Sequence, residues 1–128
     1  MNPHKKLPDA EFAVMRAIWH LPFPTTCRDI MDALDSDKAW KSQTVLTMLK
    51  RLEEKGFVTS HKQGKEREYA PLISEDEYLR IETGSFVRKF GKKSALSVLS
   101  TLCAEQELSA EEIADLSNWL EEQKRGQS

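Results

Sequence analysis

The chain has 128 residues, of which 39% are hydrophobic and 31% are charged, and its formal net charge at pH 7 is −2. This composition is typical of a soluble globular protein, built as one compact domain or as a small domain with an oligomerisation arm. No apolar run approaches the roughly 20 residues that a membrane span needs, and the charged N-terminus lacks the apolar core of a secretory signal, so we expect a cytoplasmic protein with no membrane partner.

The first third of the chain predicts two short helices. Asp9 stands at the start of the first, where a carboxylate suits the helix dipole. Apolar residues recur along this helix at helical spacing: Phe12, Met15, Ile18 and Trp19. Two prolines, at positions 22 and 24, end it. Thr25 or Thr26 caps the second helix, and a polar loop at residues 35–37 and a short strand at residues 39–41 follow.

The segment from Trp40 to Pro71 is the most informative part of the sequence. Residues 42–55 predict a helix whose apolar face consists of Val45, Met48, Leu49 and Leu52. Gly56 ends this helix, residues 57–63 predict a strand, and residues 67–70 return after a turn at Gly64. Three short helices followed by a β-hairpin is the order of elements in winged helix-turn-helix proteins, which makes DNA the leading candidate partner.

The charges are unevenly distributed along the chain. Residues 38–71 carry eight basic and four acidic side chains, whereas residues 1–37 carry four and six, and residues 72–128 carry seven and eleven. Because phosphate contacts act over a Debye length of ~8 Å, DNA responds to the local charge and not to the net charge. The basic segment coincides with the third helix and the hairpin. A solvated surface of mixed charge is the alternative interpretation.

The third helix and the hairpin supply the candidate DNA contacts. On the helix these are the polar and basic side chains Lys41, Ser42, Gln43, Thr44, Thr47, Lys50 and Arg51. In the major groove glutamine pairs with adenine, arginine with guanine, and a threonine methyl group contacts the methyl group of thymine. Around the turn of the hairpin, Lys62, Gly64, Lys65 and Arg67 are suited to the DNA backbone or the minor groove. For each residue alone, an ordinary exposed polar position is the alternative.

Three further helices are predicted after residue 72. Ser74 and Ser109 each precede an acidic residue by three positions, as in a capping box, and so open the first and the last of these helices. These helices are too few and too short to bury their own apolar faces within one chain, so we predict that two copies pack together. The predicted interface consists of Tyr78, Ile81, Phe86, Leu96, Leu99, Leu102, Ile113, Leu116, Trp119 and Leu120. Packing of these helices onto their own winged helix is the alternative.

The sequence therefore predicts a mainly α fold with a small β-hairpin wing. Residues 1–72 are predicted to form an N-terminal winged helix-turn-helix DNA-binding domain, and residues 73–128 a C-terminal helical dimerisation domain. A two-fold dimer fits DNA recognition because its symmetry matches palindromic half-sites. The predicted partners are double-stranded operator DNA and a second copy of the chain.

No motif predicts an enzyme, a metal site or a cofactor. The sequence has no glycine-rich phosphate loop and no nucleophile elbow. Cys27 and Cys103 belong to no CxxC motif and to no cluster of cysteine and histidine, so neither a zinc nor an iron–sulfur site is expected. We interpret both as buried or idle thiols, with a redox role for Cys103 as the alternative.

Four segments together resemble the penicillinase repressor (BlaI/MecI/CopY) family. They are residues 9–19 (DAEFAVMRAIW), 44–56 (TVLTMLKRLEEKG), 64–71 (GKEREYAP) and 107–113 (ELSAEEI), in the order and with the spacing of the family. The resemblance implies a homodimeric winged-helix repressor that binds a palindromic operator with half-sites of the TACA/TGTA type. It implies control of β-lactam-resistance genes or, in one branch, of copper-transport genes. It also implies that positions 41–44, 47 and 51 read the DNA, with the wing at residues 64–67.

Two features depart from the family pattern. The β-lactam-responsive members are cut by a sensor protease at an Asn-Phe bond, and the aligned residues here are Thr101 and Leu102. The usual cut is therefore not implied, although a sensor protease with another recognition sequence at Thr101–Leu102 is an alternative. The copper branch carries a cysteine-rich C-terminal hook, and residues 121–128 contain no cysteine.

We therefore predict a sequence-specific repressor of antibiotic- or stress-response genes that blocks a promoter as a dimer. Two alternatives are a winged-helix adaptor that binds proteins and a repressor switched through oxidation of Cys103.

Overall fold

The computed structural model describes residues 4–34 and 40–127. Within these residues six helices and three strands follow one another: α1 (Asp9–Trp19), β1 (Thr25–Thr26), α2 (Cys27–Ala33), α3 (Ser42–Glu54), β2 (Val58–Gln63), β3 (Glu66–Pro71), α4 (Glu75–Phe90), α5 (Ser94–Ala104) and α6 (Ala110–Gly126). The predicted loop at residues 35–37 and Ala39 of the predicted strand lie outside the described residues, and Trp40 and Lys41 belong to no strand. No helix in the described part of the chain combines the length and the apolar character needed to cross a membrane.

Helix α2 begins with the cap that the sequence predicts. Thr26 is the N-cap, and its hydroxyl accepts a hydrogen bond of 3.2 Å from the backbone N–H of Asp29. The Asp29 carboxylate accepts one of 3.3 Å from the N–H of Thr26 in return. This reciprocal pair is a capping box, which satisfies two N–H groups that the helix itself leaves unbonded.

The sheet has three antiparallel strands in the order β1-β3-β2, where the sequence predicted a two-stranded hairpin. The additional strand, β1, pairs Thr25 with Tyr69 and Thr26 with Glu68. Strand β1 is only two residues long, so it carries no alternating pattern that a sequence analysis detects. Its pairing places the start of α2 directly beside strand β3.

Helix α3 ends at a glycine stop. Gly56 has a φ of +82°, a left-handed conformation that favours glycine. The N–H of Gly56 bonds to the carbonyl of Glu53, and the N–H of Phe57 bonds to the carbonyl of Leu52 at 2.9 Å. This pattern is a Schellman motif, which reverses the chain immediately after the helix. The prediction that Gly56 terminates α3 and leads into the hairpin is therefore confirmed.

The described chain divides into two compact units, one ending at Ser85 and the other beginning at Phe86, whereas the predicted domains meet between residues 72 and 73. The core of the first unit contains the buried residues Leu7, Val14, Met15, Ala17, Ile18, Ile30, Val45, Leu49, Leu52, Phe57, Val58, Tyr69, Ile73 and Tyr78. These residues come from α1, α2, α3, the sheet and the start of α4, and from the short segments just before α1, β2 and α4.

Tyr78 differs from its predicted role in the dimer interface. Its side chain is 1% exposed in the core of the first unit, and its ring stacks on Phe12 with the ring centroids 5.6 Å apart. Its hydroxyl accepts a hydrogen bond of 2.7 Å from the backbone N–H of Leu7 and donates one of 2.6 Å to Glu82. Ile81, one turn further along α4, is half-buried and packs against the same core. The first half of α4 therefore belongs to the winged helix.

The second unit is built differently, because none of its described residues, 86–127, is buried. Helix α6 opens with the capping box predicted at Ser109, whose hydroxyl accepts from the N–H of Glu112 at 3.1 Å. Helix α5, the second of the three helices predicted after residue 72, spans Ser94–Ala104. Local signals thus define these helices, while their apolar side chains have no core of their own to enter.

Candidate nucleic-acid interface

Helix α3 has one face in the core and one face in solvent. Of the four apolar residues predicted to face the core, Val45, Leu49 and Leu52 are fully buried, and Met48 is half-buried against the same core. The candidate DNA contacts of this helix are all exposed: Lys41, Ser42, Gln43, Thr44, Thr47, Lys50 and Arg51. The buried leucines fix the rotation of the helix about its axis, so the polar and basic side chains project away from the domain together.

The N-terminal end of α3 is suited to an anion. Its first turn contains no acidic residue, and the N-cap residue, Lys41, makes no side-chain hydrogen bond to the helix. In α2 and α6, by contrast, a capping box already occupies the first turn. The unbonded N–H groups and the positive end of the helix dipole favour a phosphate at this end of α3.

Thr47 has its hydroxyl engaged within the helix. The hydroxyl donates a hydrogen bond of 2.9 Å to the backbone carbonyl of Gln43. The side chain therefore offers an acceptor and a methyl group, but no free hydrogen-bond donor. That chemistry is compatible with the thymine methyl contact predicted for it.

The hairpin places its cations on one side. Lys62 pairs directly with Arg67 across strands β2 and β3, and Ser60 pairs with Tyr69 two residues away. Side chains alternate between the faces of a strand, so Lys62 and Arg67 lie on the face that carries Tyr69 into the core beside α3. Like charges directly opposite each other disfavour a hairpin. An anion bound beside these two side chains would offset that repulsion.

The tip of the hairpin is a tight turn. Gly64 has a φ of +65°, and the space around its Cα is open. Lys65, which follows it, is exposed. The turn therefore exposes the backbone at Gly64 and a positive charge at Lys65, as the sequence predicted for a wing.

A chain of hydrogen bonds connects the wing with α3. Arg67 donates from Nη1 to the hydroxyl of Ser60 at 3.0 Å, and that hydroxyl donates to Oε1 of Glu53 at 2.5 Å. Glu53 lies in the last turn of α3. The sequence contained no signal for this connection, because the three residues belong to three different elements.

The basic side chains of this surface are largely free of ion pairs. Among the described residues, the ion pairs within 4 Å are Lys6–Glu82, His20–Glu75, Lys55–Glu11 and His61–Glu68. None involves Lys41, Lys50, Arg51, Lys62 or Lys65. Lys55 belongs to the same basic segment of the sequence, but it pairs at 2.5 Å with the buried carboxylate of Glu11. Lys55 is therefore a structural residue, whereas the others keep their charges available.

Two residues of this surface were not predicted from the sequence. Leu46 is an exposed leucine on α3, and Arg28 is an exposed arginine in the first turn of α2. Both line a cleft of about 140 Å³ together with Arg67 and Tyr69 of β3. The signal in the sequence was weak, because a leucine in a helical segment is normally assigned to the core.

The cysteines lie in different environments. Cys27 lines the same cleft, and burial raises the pKa of its thiol, which keeps it protonated and unreactive near neutral pH. Burial also raises the pKa of Tyr69, the Cys27 thiol raises it further, and Arg67 lowers it. Cys103 is exposed on α5. No group of three or more potential metal ligands occurs among the described residues.

The residues predicted for the dimer interface have different degrees of exposure. Leu99, Leu102 and Leu116 are half-buried within the second unit. The large exposed apolar side chains of that unit are Phe86, Phe90, Leu96, Val98, Ile113, Trp119 and Leu120. Thr101 and Leu102, the candidate proteolytic bond, lie inside α5.

A helix with an exposed polar and basic face, held beside a cationic hairpin on a small helical core, defines a winged-helix DNA-binding protein. The chain is more specifically a member of the penicillinase repressor family, whose model matches residues 7–122. It is therefore a DNA-binding transcriptional repressor and not an enzyme.

Individual relatives support this assignment. The chain is 36% identical over 124 residues to the penicillinase repressor of Bacillus licheniformis, which covers 94% of this chain and 95% of the relative. It is 28% identical over 119 residues to the methicillin resistance regulatory protein MecI of Staphylococcus aureus strain N315, covering 93% and 96%. The solution structure of the DNA-binding domain of the repressor BlaI is similar with a TM-score of 0.52 and 33% identity, covering 61% of this chain and 94% of that domain.

Proposed function

We propose that this chain acts as a homodimer on a palindromic operator with half-sites of the TACA/TGTA type. Occupation of the operator blocks the promoter to polymerase. The observation that carries the proposal is the exposed face of α3, where seven polar or basic side chains lie next to the wing. Among the described residues, the wing cations Lys62, Lys65 and Arg67 form no ion pair. Membership of a repressor family supports the same assignment.

Each element of this surface has a proposed role on the DNA. Helix α3 lies in the major groove, where Gln43 near its start reads adenine and Arg51, about two turns further along the helix, reads guanine. Lys41, Ser42 and the free N–H groups of the first turn bind phosphate. Lys62, Lys65 and Arg67 hold the backbone or the minor groove at the side of the helix. Thr44, Thr47 and Lys50 complete the proposed contact set.

Dimerisation is assigned to the second unit. Its helices expose large apolar side chains, and none of its described residues is buried, so a single chain leaves this apolar surface in water. A second copy is the partner that a two-fold operator requires, and each copy offers the same apolar surface to the other. Joining two half-site readers raises operator affinity by a factor on the order of 10²–10⁴.

The regulated genes and the inducing signal are inferred from the relatives. Their names refer to penicillinase and to methicillin resistance, which favours antibiotic-response genes as targets, with stress-response genes as the broader class. We propose that repression ends when the protomers separate. Cutting by a sensor protease at Thr101–Leu102 is the alternative route, and it requires local unfolding because this bond lies within α5.

A titration of the purified protein against two duplexes tests the proposal. One duplex carries the TACA/TGTA palindrome and the other a scrambled sequence of equal length, and each is titrated at several salt concentrations. We expect strong preference for the palindrome, binding of two protomers per duplex, and affinity that falls steeply with salt. Equal weak binding to both duplexes, and to sequences selected from random DNA, would contradict the proposal and favour a protein-binding adaptor.

Sedimentation tests the proposed interface separately. Leu96 is 73% exposed, so an aspartate at this position is tolerated in the single chain but places a charge in the proposed interface. We expect Leu96→Asp to shift the protein to monomer and to weaken palindrome binding. The matched control is Leu72→Asp in the first unit, where the leucine is 58% exposed. Retention of the dimer by Leu96→Asp would place the interface elsewhere.

A further inference from the structure

Leu46 is an apolar side chain on the polar face of α3. It is 42% exposed, whereas Val45 and Leu49 on the same helix are fully buried. Of its helix-surface neighbours three and four residues away, Ser42, Gln43 and Lys50 are exposed and Leu49 is buried, so Leu46 lies where the polar face borders the core. Leu46 therefore belongs to the surface proposed to meet DNA, and the core of the first unit does not account for its presence there.

The surroundings of Leu46 are cationic. It lines a cleft between the start of α2, the middle of α3 and strand β3, with Arg28 on one element and Arg67 on another. Glu66 is the single acidic residue in the lining. An exposed apolar group framed by two arginines suits a ligand that presents an apolar group and carries negative charges on either side of it.

Duplex DNA has this combination of groups. In its major groove the C5-methyl group of thymine is the apolar group exposed on the base edges, and phosphates run along both rims. The helix that carries Leu46 is the one assigned to that groove. We propose that Leu46 recognises a thymine of the operator by packing against its C5-methyl group, while Arg28 and Arg67 bind the flanking phosphates. This inference depends on the operator binding proposed above.

Replacement of thymine by uracil tests the contact, since uracil lacks only the C5-methyl group and keeps both the base pair and the hydrogen-bonding groups. Each thymine of the bound half-site is replaced in turn, and the dissociation constant is measured for the wild-type protein and for Leu46→Ala. We expect one position at which uracil weakens wild-type binding about fourfold, the effect of one buried methyl group. Leu46→Ala is expected to bind the thymine and uracil duplexes equally at that position.

The control is Leu72→Ala, an exposed leucine of the first unit outside α3, which should keep the full response to uracil. Wild-type binding that is insensitive to uracil at every position would overturn the proposal. Because Thr47 is also predicted to contact a thymine methyl group, a penalty that persists at one other thymine is compatible with the proposal. A uracil penalty that Leu46→Ala retains at every sensitive position, or a loss in this variant that is equal for all duplexes, would also overturn it. Failure to prefer any sequence at all is a different result, since it contradicts operator binding itself.

The salt dependence of binding tests the phosphate contact proposed for Arg28. Removing one phosphate contact reduces the magnitude of the slope of log affinity against log salt by about one for each half-site. We expect this reduction for Arg28→Ala, together with an unchanged uracil penalty, because the methyl contact is made by Leu46. An unchanged salt slope would refute the phosphate contact assigned to Arg28.

Discussion

The hydroxyl of Ser60 donates a hydrogen bond of 2.5 Å to Oε1 of Glu53, and so ties strand β2 of the wing to the last turn of α3. Arg67 completes the connection by donating to the same hydroxyl. Glu53 and Arg67 are both exposed, so these bonds contribute little to stability. Their effect is on orientation, because they fix the wing and its cations relative to the helix that reads the DNA.

We therefore expect Ser60→Ala to weaken operator binding several-fold per half-site, corresponding to a loss of about 0.5–1.5 kcal/mol. The melting temperature and the salt dependence of binding should not change, since no charge is removed. Titrations at several salt concentrations measure the operator affinity and its salt dependence, and thermal unfolding measures the melting temperature. Thr59→Ala, at an exposed position on the opposite face of β2, is the control. Unchanged operator affinity in Ser60→Ala would show that the wing is positioned without this bond.

Arg51→Ala tests the recognition helix directly. Arg51 is exposed, and no ion pair occupies it among the described residues. Loss of a bidentate contact with guanine costs about 1–3 kcal/mol per half-site and relaxes specificity at that base pair. The fold and the dimer should be unaffected, as circular dichroism and sedimentation would record. Arg16→Ala, an exposed arginine on α1, is the control, and equal operator binding by Arg51→Ala and the wild type would refute the assignment.

Lys55→Ala is expected to destabilise the first unit without a direct effect on DNA contacts. Glu11 is 3% exposed and its carboxylate pairs with Lys55 at 2.5 Å, so removing the lysine leaves a buried charge without its partner. Such losses reach about 3–5 kcal/mol for fully buried pairs, and we expect about 1–3 here because the Lys55 side chain is partly exposed. Urea unfolding measures the change.

Two further variants make the Lys55 prediction specific. Lys50→Ala removes a lysine of α3 that forms no ion pair with the other described residues, and it should leave stability nearly unchanged. Glu11→Gln combined with Lys55→Ala should recover part of the lost stability, because the buried charge is gone. Equal stability of Lys55→Ala and Lys50→Ala would show that water screens Glu11 despite its burial.

The raised pKa of the Tyr78 phenol leads us to expect a loss of stability at high pH. Burial raises the pKa of its phenol well above the ordinary value near 10, and the hydrogen bond to Glu82 raises it further. As the pH rises past about 10, the unfolded chain releases this proton before the folded chain does. The stability that the neutral phenol contributes is therefore complete below about pH 10 and declines above it.

Tyr78→Phe separates this effect from other alkaline titrations. At neutral pH the variant leaves the backbone N–H of Leu7 without its acceptor, which costs about 1–3 kcal/mol. Above about pH 10 its stability should fall less steeply than that of the wild type. Urea unfolding from about pH 8 to about pH 11 measures both slopes. Parallel slopes for the two proteins would show that Tyr78 titrates normally.

The parts of the structure predicted correctly are those with local signals. Thr26 and Ser109 cap their helices through residues three positions away, and Gly56 ends α3 through a φ that favours glycine. The apolar spacing on α3 fixed which side chains are buried and which are exposed. That spacing is sufficient to place the candidate DNA contacts on one surface, although their individual roles stay predictions.

The parts that were missed depend on contacts between distant residues. Strand β1 exists because two residues pair with β3, and Tyr78 enters the first unit because its hydroxyl meets the N–H of Leu7, 71 positions away in the chain. From the sequence alone Tyr78 is one more apolar residue on a helix of the C-terminal half. Leu46 was missed because residue type alone does not show whether a leucine in a helix is buried or exposed.

Because no residue between 86 and 127 is buried, the rate at which the protein is degraded is expected to depend on its concentration. Helices without a core hold their shape only while another surface covers them, so for a dimer of this kind the folding of this half depends on how many copies are present. A chain that has not yet met a partner exposes an incompletely folded segment to the proteases that remove such segments. In the proposed dimer, pairing therefore sets the lifetime of the repressor as well as its affinity for the operator.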